Sequence, residues 1–193
     1  MVDFTKIEYL KSGNQKQQLA YNVLLKHELL QLLKEFDPIL VGTIPIGIDL
    51  ENSDLDIVCC FSDRAYFCRQ ISLHFGKEEN FKIRERSANQ SVVANFWLDG
   101  FEIELFAQAT PSGEQLGYRH MLIEHQLLKG LGEKFRQVVV QQKTSGLKTE
   151  PAFAKLLGLT GDPYEALLHC DVEKIISSGW PLPDSSFQEI EGK

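Results

Sequence analysis

Positive charge is scarce in this chain: 20 Lys and Arg stand against 27 Asp and Glu, a net charge of −7 over 193 residues. A protein that holds long nucleic acid gathers many phosphates on a basic surface, and a surface this acidic repels them. Bulk DNA or RNA is thereby disfavoured as a partner, and a small molecule or a protein is favoured. Cysteine is also sparse. Cys59, Cys60, Cys68 and Cys170 form no Cys-x-x-Cys pair and have no histidines at zinc spacing. That excludes a disulfide framework and a zinc cage, and leaves reduced, mostly buried thiols of the kind a cytosolic protein carries. No apolar run approaches the roughly 20 residues of a bilayer span. Met1-Val2-Asp3-Phe4-Thr5-Lys6 lacks the basic-then-apolar order of a secretory leader. The expected location is the cytoplasm, with no membrane partner. Repeats and low-complexity tracts are missing too, so 193 residues with 43% hydrophobic content suit one domain, or a core with a helical appendage.

What is present is concentrated between Val41 and Val58. A short apolar strand end runs into Gly42-Thr43, then a polar loop containing Gly47, then Asp54-Leu55-Asp56 at the head of a second β-type run. Alternate residues of a strand project from one face about 6.6 Å apart, twice the rise per residue. Two carboxylates so placed repel each other and resist desolvation, so a cation belongs between them. Mg²⁺ suits the position because it takes oxygen ligands and joins one or two protein carboxylates to substrate phosphates. Gly42 lets a phosphate approach the backbone, while free N–H groups and the Thr43 hydroxyl donate to its oxygens.

A later strand supplies a third acid. Asp99-Gly100 is a two-residue hairpin signal that makes Val92–Leu98 and Phe101–Phe106 antiparallel neighbours. In the second strand Phe101, Ile103 and Leu105 point one way, Glu102 and Glu104 the other.

Gly42-Thr43, ten residues, then Asp54-Leu55-Asp56, with a carboxylate on a later strand, resembles the signature of the nucleotidyltransferase superfamily with the polymerase-β-like fold. Thr43 stands where serine is commoner, and the hydroxyl survives the change. The chain looks most like a small, functionally unassigned bacterial-type branch, whose comparable Glu-Phe-x-Gln segment selects Glu104 as third ligand, with Glu102 as the alternative.

The resemblance implies an α/β (α+β) fold, a mixed nucleotidyltransferase-type sheet with flanking helices followed by a C-terminal helical bundle. It implies transfer of a nucleoside monophosphate from ATP or another nucleoside triphosphate to a hydroxyl acceptor. Mg²⁺, or Mn²⁺ in its place, would be held by Asp54, Asp56 and Glu104, with two ions about 3.5 to 4 Å apart. Gly42, Thr43 and Ser53 would receive the leaving phosphates. The alternatives are a catalytically silent nucleotide-binding or regulatory module of the same fold, and an RNA-end nucleotidyltransferase. The latter needs Lys82, Arg84, Arg86, Arg119 and Lys148 gathered on one surface.

Periodicity predicts a helix over Asn14–Phe36 stopped by Asp37-Pro38, strands at Ile39–Val41 and Asp54–Phe61, and a helix over Arg64–Phe75 capped by Ser62-Asp63 and closed by Gly76. Phe81–Glu85 alternates apolar with basic residues. Its Arg84 either faces solvent or neutralises transferring phosphate charge. Beyond residue 110 the pattern turns helical, over Glu114–Lys129, Glu133–Gln142, a segment capped by Thr149, and another opened by Asp162-Pro163. Arg119 and His120 are candidates for the acceptor side, or surface residues of an amphipathic helix. Lys148 is either a second phosphate contact or a surface lysine. The expected organisation is a core over residues 1–110, a helical region over 111–176, and a loosely packed tail over 177–193.

Overall fold

The structure is a computed structural model and describes residues 2–180. The chain divides into two compact units, Met1–Tyr118 and Arg119–Lys193.

The first unit opens with a 3-10 turn at Glu8–Ser12 and helix α1 at Gln15–Lys26. Asn14 and Gln17 form a reciprocal capping box at the helix start. The helix expected to reach Phe36 stops ten residues earlier. Glu28 adopts a left-handed conformation (φ +48°), a short α2 follows at Leu29–Leu32, and a 3-10 turn at Lys34–Phe36 ends on Asp37 (φ +49°). The reason lies in burial: Val23 and Leu24 on one side of the break, and Leu29, Leu33 and Phe36 on the other, all enter one core. A straight helix would carry the two groups past that core, while Leu19 and Leu25 in fact face solvent.

Strands β1 (Ile39–Val41) and β2 (Leu55–Cys60), helix α3 (Arg64–Phe75), and strands β3 (Glu79–Arg86), β4 (Ser91–Leu98) and β5 (Phe101–Gln108) complete the unit. The described strands form a mixed five-stranded sheet of order β1-β2-β5-β4-β3, with β2 and β5 parallel and the other neighbours antiparallel. Asp99 (φ +44°) and Gly100 (φ +88°) are both left-handed, as a hairpin turn of this hand requires, and Leu98 pairs with Phe101. One sheet face carries Leu55, Ile57, Cys59, Ala94, Phe96, Ile103 and Leu105 into a core shared with α1 and α3. Phe75 of α3 stacks on Phe96 with ring centroids 4.7 Å apart. The opposite face holds Asp56, Asn95, Glu102 and Glu104, none of them fully buried. Alternating burial along β5 separates the two faces cleanly.

Helix α4 (Leu116–Thr144) begins at the end of the first unit and breaks at Gly132 (φ +84°), between the two helices expected there. Helix α5 (Thr149–Leu156) has Lys148, not Thr149, at its N-cap, because Thr149 is already helical. Asp162 caps α6 (Pro163–Leu168) by accepting from the Tyr164 and Glu165 amides. Asp171 likewise caps α7 (Val172–Ser178), an element the periodicity did not predict. Residues 177–178 of the expected tail are therefore the last turn of a helix, and 181–193 lie outside the described residues. Met121, Leu127, Phe135, Val139, Phe153 and Leu167 are buried in the second unit. Gly130 lets Ile176 come close, since a Cβ there would lie 2.4 Å from Ile176 Cδ1. Among the described residues no helix is long and apolar enough to cross a membrane.

Candidate functional site

Register across the sheet assembles a row of polar side chains on the face opposite that core. Val41 pairs with Asp56, Asp56 with Glu104, Glu104 with Asn95, and Asn95 with Lys82. Residues in register on adjacent strands share a face, so Asp56 and Glu104 are immediate neighbours although 48 positions separate them in the sequence. Asp54 stands one residue before β2 and is half-buried. Asn95 spans both later acids, its Nδ2 donating to Glu102 Oε1 at 3.2 Å and to Glu104 Oε2 at 3.3 Å. Arg84 approaches Glu104 Oε2 at 4.0 Å from the edge strand.

Gly42 closes the other end of the row. Its φ is +84°, and a Cβ would lie 2.4 Å from Asp56 Oδ2, so the bare backbone is what leaves space for that carboxylate. The loop beyond it is wired through hydroxyls. Thr43 Oγ1 donates to Ser53 Oγ at 3.3 Å, and the Leu50 amide donates to the same oxygen at 2.8 Å. Thr43 therefore spends its proton inside the loop, while Ser53, accepting twice, keeps its own O–H to donate. Between them these two hydroxyls hold the ends of a loop whose amides are partly used internally, Ile48 N bonding to Thr43 O at 3.1 Å.

Beyond the acids lies an open cleft of about 400 Å³ lined by Asn80, Lys82, Arg84, Asn95, Trp97, Glu102 and Glu104. Trp97 is 39% exposed. Asn95 Oδ1 is buried and has no hydrogen-bond partner among the described residues, an acceptor that a bound donor would satisfy.

Among the described residues no three His, Cys, Asp or Glu side chains converge into a finished cage. A structural zinc site demands such a cage; Mg²⁺ does not, because it takes one or two carboxylates, keeps waters and fills its shell with substrate phosphates. Asp54, Asp56 and Glu104 offer oxygen donors alone, the ligand chemistry that Mg²⁺ takes.

Residues 22–170 match the model of a family described as a domain of unknown function, DUF4269. The chain belongs to the DUF4269 family. No curated protein matches the sequence. In three dimensions the chain is similar to a Cid1 poly(U) polymerase bound to Mg and 3′-dATP, with a TM-score of 0.55 at 15% identity over 83% of this chain and 52% of that one. A cytoplasmic RNA terminal U-transferase gives 0.55 at 14% identity over 85% and 52%. The GLD-2/RNP-8 complex gives 0.55 at 11% over 78% and 64%. The mixed sheet with flanking helices and a helical C-terminal region is thus a nucleotidyltransferase-type fold. The chain spans 52 to 64% of the length of those structures.

The remaining candidates of this DUF4269 member belong to the second unit. Arg119 is exposed, and Lys148 is exposed at the α5 N-cap. His120 is only 5% exposed; its Nε2 lies 3.0 Å from the Tyr164 carbonyl and its Nδ1 4.0 Å from Glu150. An imidazole so enclosed offers an acceptor no surface, and His120 is better read as a core residue. Glu124 nearby is buried, and desolvation, then the neighbouring Glu150, push its carboxyl up to about 8 against the pull of Lys143. Sequence reasoning passed over Asn95 and Trp97. A lone amide inside the apolar run Val92–Leu98 was the signal that marked the first.

Proposed function

We propose that this protein is a metal-dependent nucleotidyltransferase, moving a nucleoside monophosphate from a nucleoside triphosphate to a hydroxyl on a small molecule or protein. The observation that carries the reading is the pairing of Asp56 with Glu104 across β2 and β5, with the Gly42 backbone against the Asp56 carboxylate. Asp54, Asp56 and Glu104 would hold Mg²⁺, which when bound draws charge from the transferring phosphate and lowers the pKa of the acceptor hydroxyl. Gly42 and the Ser53 hydroxyl meet the β- and γ-phosphates, with Thr43 fixing Ser53. Arg84 faces negative charge building on the α-phosphate. The acceptor oxygen bonds to the α-phosphorus as the bond to the bridging oxygen breaks. Pyrophosphate leaves with that electron pair, and Glu104 takes the hydroxyl proton.

The test is incubation with each α-labelled triphosphate and Mg²⁺ or Mn²⁺, following label into the protein, RNA and small-molecule fractions of a cell extract. Label transferred by the wild type and lost in Asp54→Asn and Asp56→Asn supports the reading. Label in no fraction, with triphosphate still bound, points to the silent module.

A second acceptor class, the end of an RNA strand, is favoured by one observation. Lys82 and Arg84 line the same cleft as the exposed ring of Trp97, a pairing of phosphate charge with a stacking platform that single strands use. Label entering the RNA fraction alone would decide for it.

A further inference from the structure

Helix α1 carries Lys16 in its first turn, at the end where the helix dipole disfavours a cation. The ammonium is half-buried and is held by the carbonyls of Leu50 and Glu51, the latter at 2.6 Å. Next to it, Gln17 divides its amide between two tasks. Oε1 accepts from the Asn14 amide at 2.8 Å and completes the capping box, which fixes the orientation of the group. Nε2 then donates to Ile44 O at 2.8 Å and Pro45 O at 3.1 Å. The two residues grip opposite ends of one loop. Gln17 holds the strand-exit side just past Thr43, and Lys16 holds the turn whose Ser53 hydroxyl receives both Thr43 and Leu50 N. Both precede residue 22, where the DUF4269 match begins.

We propose that Lys16 and Gln17 are positioning residues for the donor triphosphate, clamping the Gly42–Asp54 loop in the shape that receives phosphate; the assignment to the donor rests on the function proposed above. The choice of residue types supports the clamp. Glutamate at position 17 would serve the capping box equally well and suit the helix dipole better, but it has no N–H for the loop. A lysine in a first turn gains nothing from the helix itself. Its worth lies in the two loop carbonyls, which are left without this donor when it is removed.

Gln17→Glu separates helix capping from the clamp, Lys16→Met removes the second grip, and Lys16→Arg is the conservative rescue. Amide hydrogen exchange on the protein without nucleotide reads the loop directly. The expected result is that Ile48, Leu50 and Ser53 exchange about tenfold faster or more in Gln17→Glu and Lys16→Met, while α1 and the melting temperature stay near wild type and Lys16→Arg restores most protection. Calorimetric titration with Mg²⁺ and a non-hydrolysable triphosphate should show Kd raised about tenfold in the same two variants. Unchanged loop exchange overturns the clamp, and faster exchange with unchanged Kd overturns its role toward the donor. Failure of the wild type itself to bind the triphosphate would instead sink the proposed function, with the exchange experiment still deciding the clamp.

Discussion

At the scale of single residues, backbone space is the tightest constraint on the site. Gly42→Ala puts a methyl group 2.4 Å from Asp56 Oδ2 on a backbone with φ +84°, so either the carboxylate or the loop must move. Triphosphate-dependent label transfer should fall by about 100-fold or more, the scale of a 1 Å displacement at a reacting centre, with far-UV circular dichroism unchanged. Retention of full transfer would mean that Asp56 is not where the metal sits. The two later glutamates differ in a checkable way: Glu104 is the register partner of Asp56, whereas Glu102 pairs with Trp97. Glu104→Gln should therefore abolish Mg²⁺-dependent transfer and Glu102→Gln lower it several-fold at most, as measured by initial rates across a Mg²⁺ series. The glycine, the hydroxyls and the alternate acids were legible as a local pattern, since they lie in adjacent stretches or alternate along one strand. Asn95 carried only the signal of one amide in an apolar run, and Trp97 and Lys16 carried none: each meets its neighbours through strand register or helix docking.

At the scale of elements, local chemistry predicted the pieces and missed what tertiary burial overrode. Arg64–Phe75 formed as expected, because Asp63 accepts from the Tyr66 amide and Phe67, Ile71 and Phe75 share one face. The stretch from Gln15 to Phe36 is periodic throughout, yet it turns at Glu28 because its apolar halves must meet in one core. Helix α7 is capped by Asp171 as α6 is by Asp162, but no proline follows the cap to mark its first turn, and its seven residues are too few for periodicity to make up for that. In the helical unit Glu124 sets a pH dependence. Its folded-state pKa is raised from 4.5 to about 8, so the native state keeps a proton that the unfolded chain has lost. Stability is then fully present below about pH 4.5, declines as pH rises toward about 8, and levels off beyond. Glu124→Gln removes that slope, and the melting temperatures of variant and wild type should diverge with rising pH, the variant melting higher at the alkaline end. Parallel melting curves across that range would show that Glu124 ionises freely in the folded protein.

At the scale of the whole molecule, total charge and local charge point to different partners. The excess of 27 acids over 20 bases argues against gripping a long polyanion. Yet the edge strand β3 places Lys82 in the polar row and Arg84 beside Glu104, two positions before Arg86. Composition averages over the surface; the alternation along β3 puts the three bases on one side, and the sheet register then sets that side against Asn95 and Glu104. The two acceptor classes consequently separate by salt. A small-molecule or protein acceptor held by hydrogen bonds and ring contact should bind with little dependence on ionic strength. A single strand drawn along Lys82, Arg84 and Arg86 would release counterions at about three phosphates, giving a slope of log Kobs against log salt of about −2. Fluorescence titration of a short oligoribonucleotide, read through quenching of Trp97 in a Trp180→Phe background and repeated over a KCl series, measures that slope. Lys82→Ala and Arg84→Ala should each reduce it by about 0.7 if the strand lies there. Binding that is absent, or that ignores both salt and these substitutions, would leave the acidic total as the better guide and return the acceptor to small molecules and proteins.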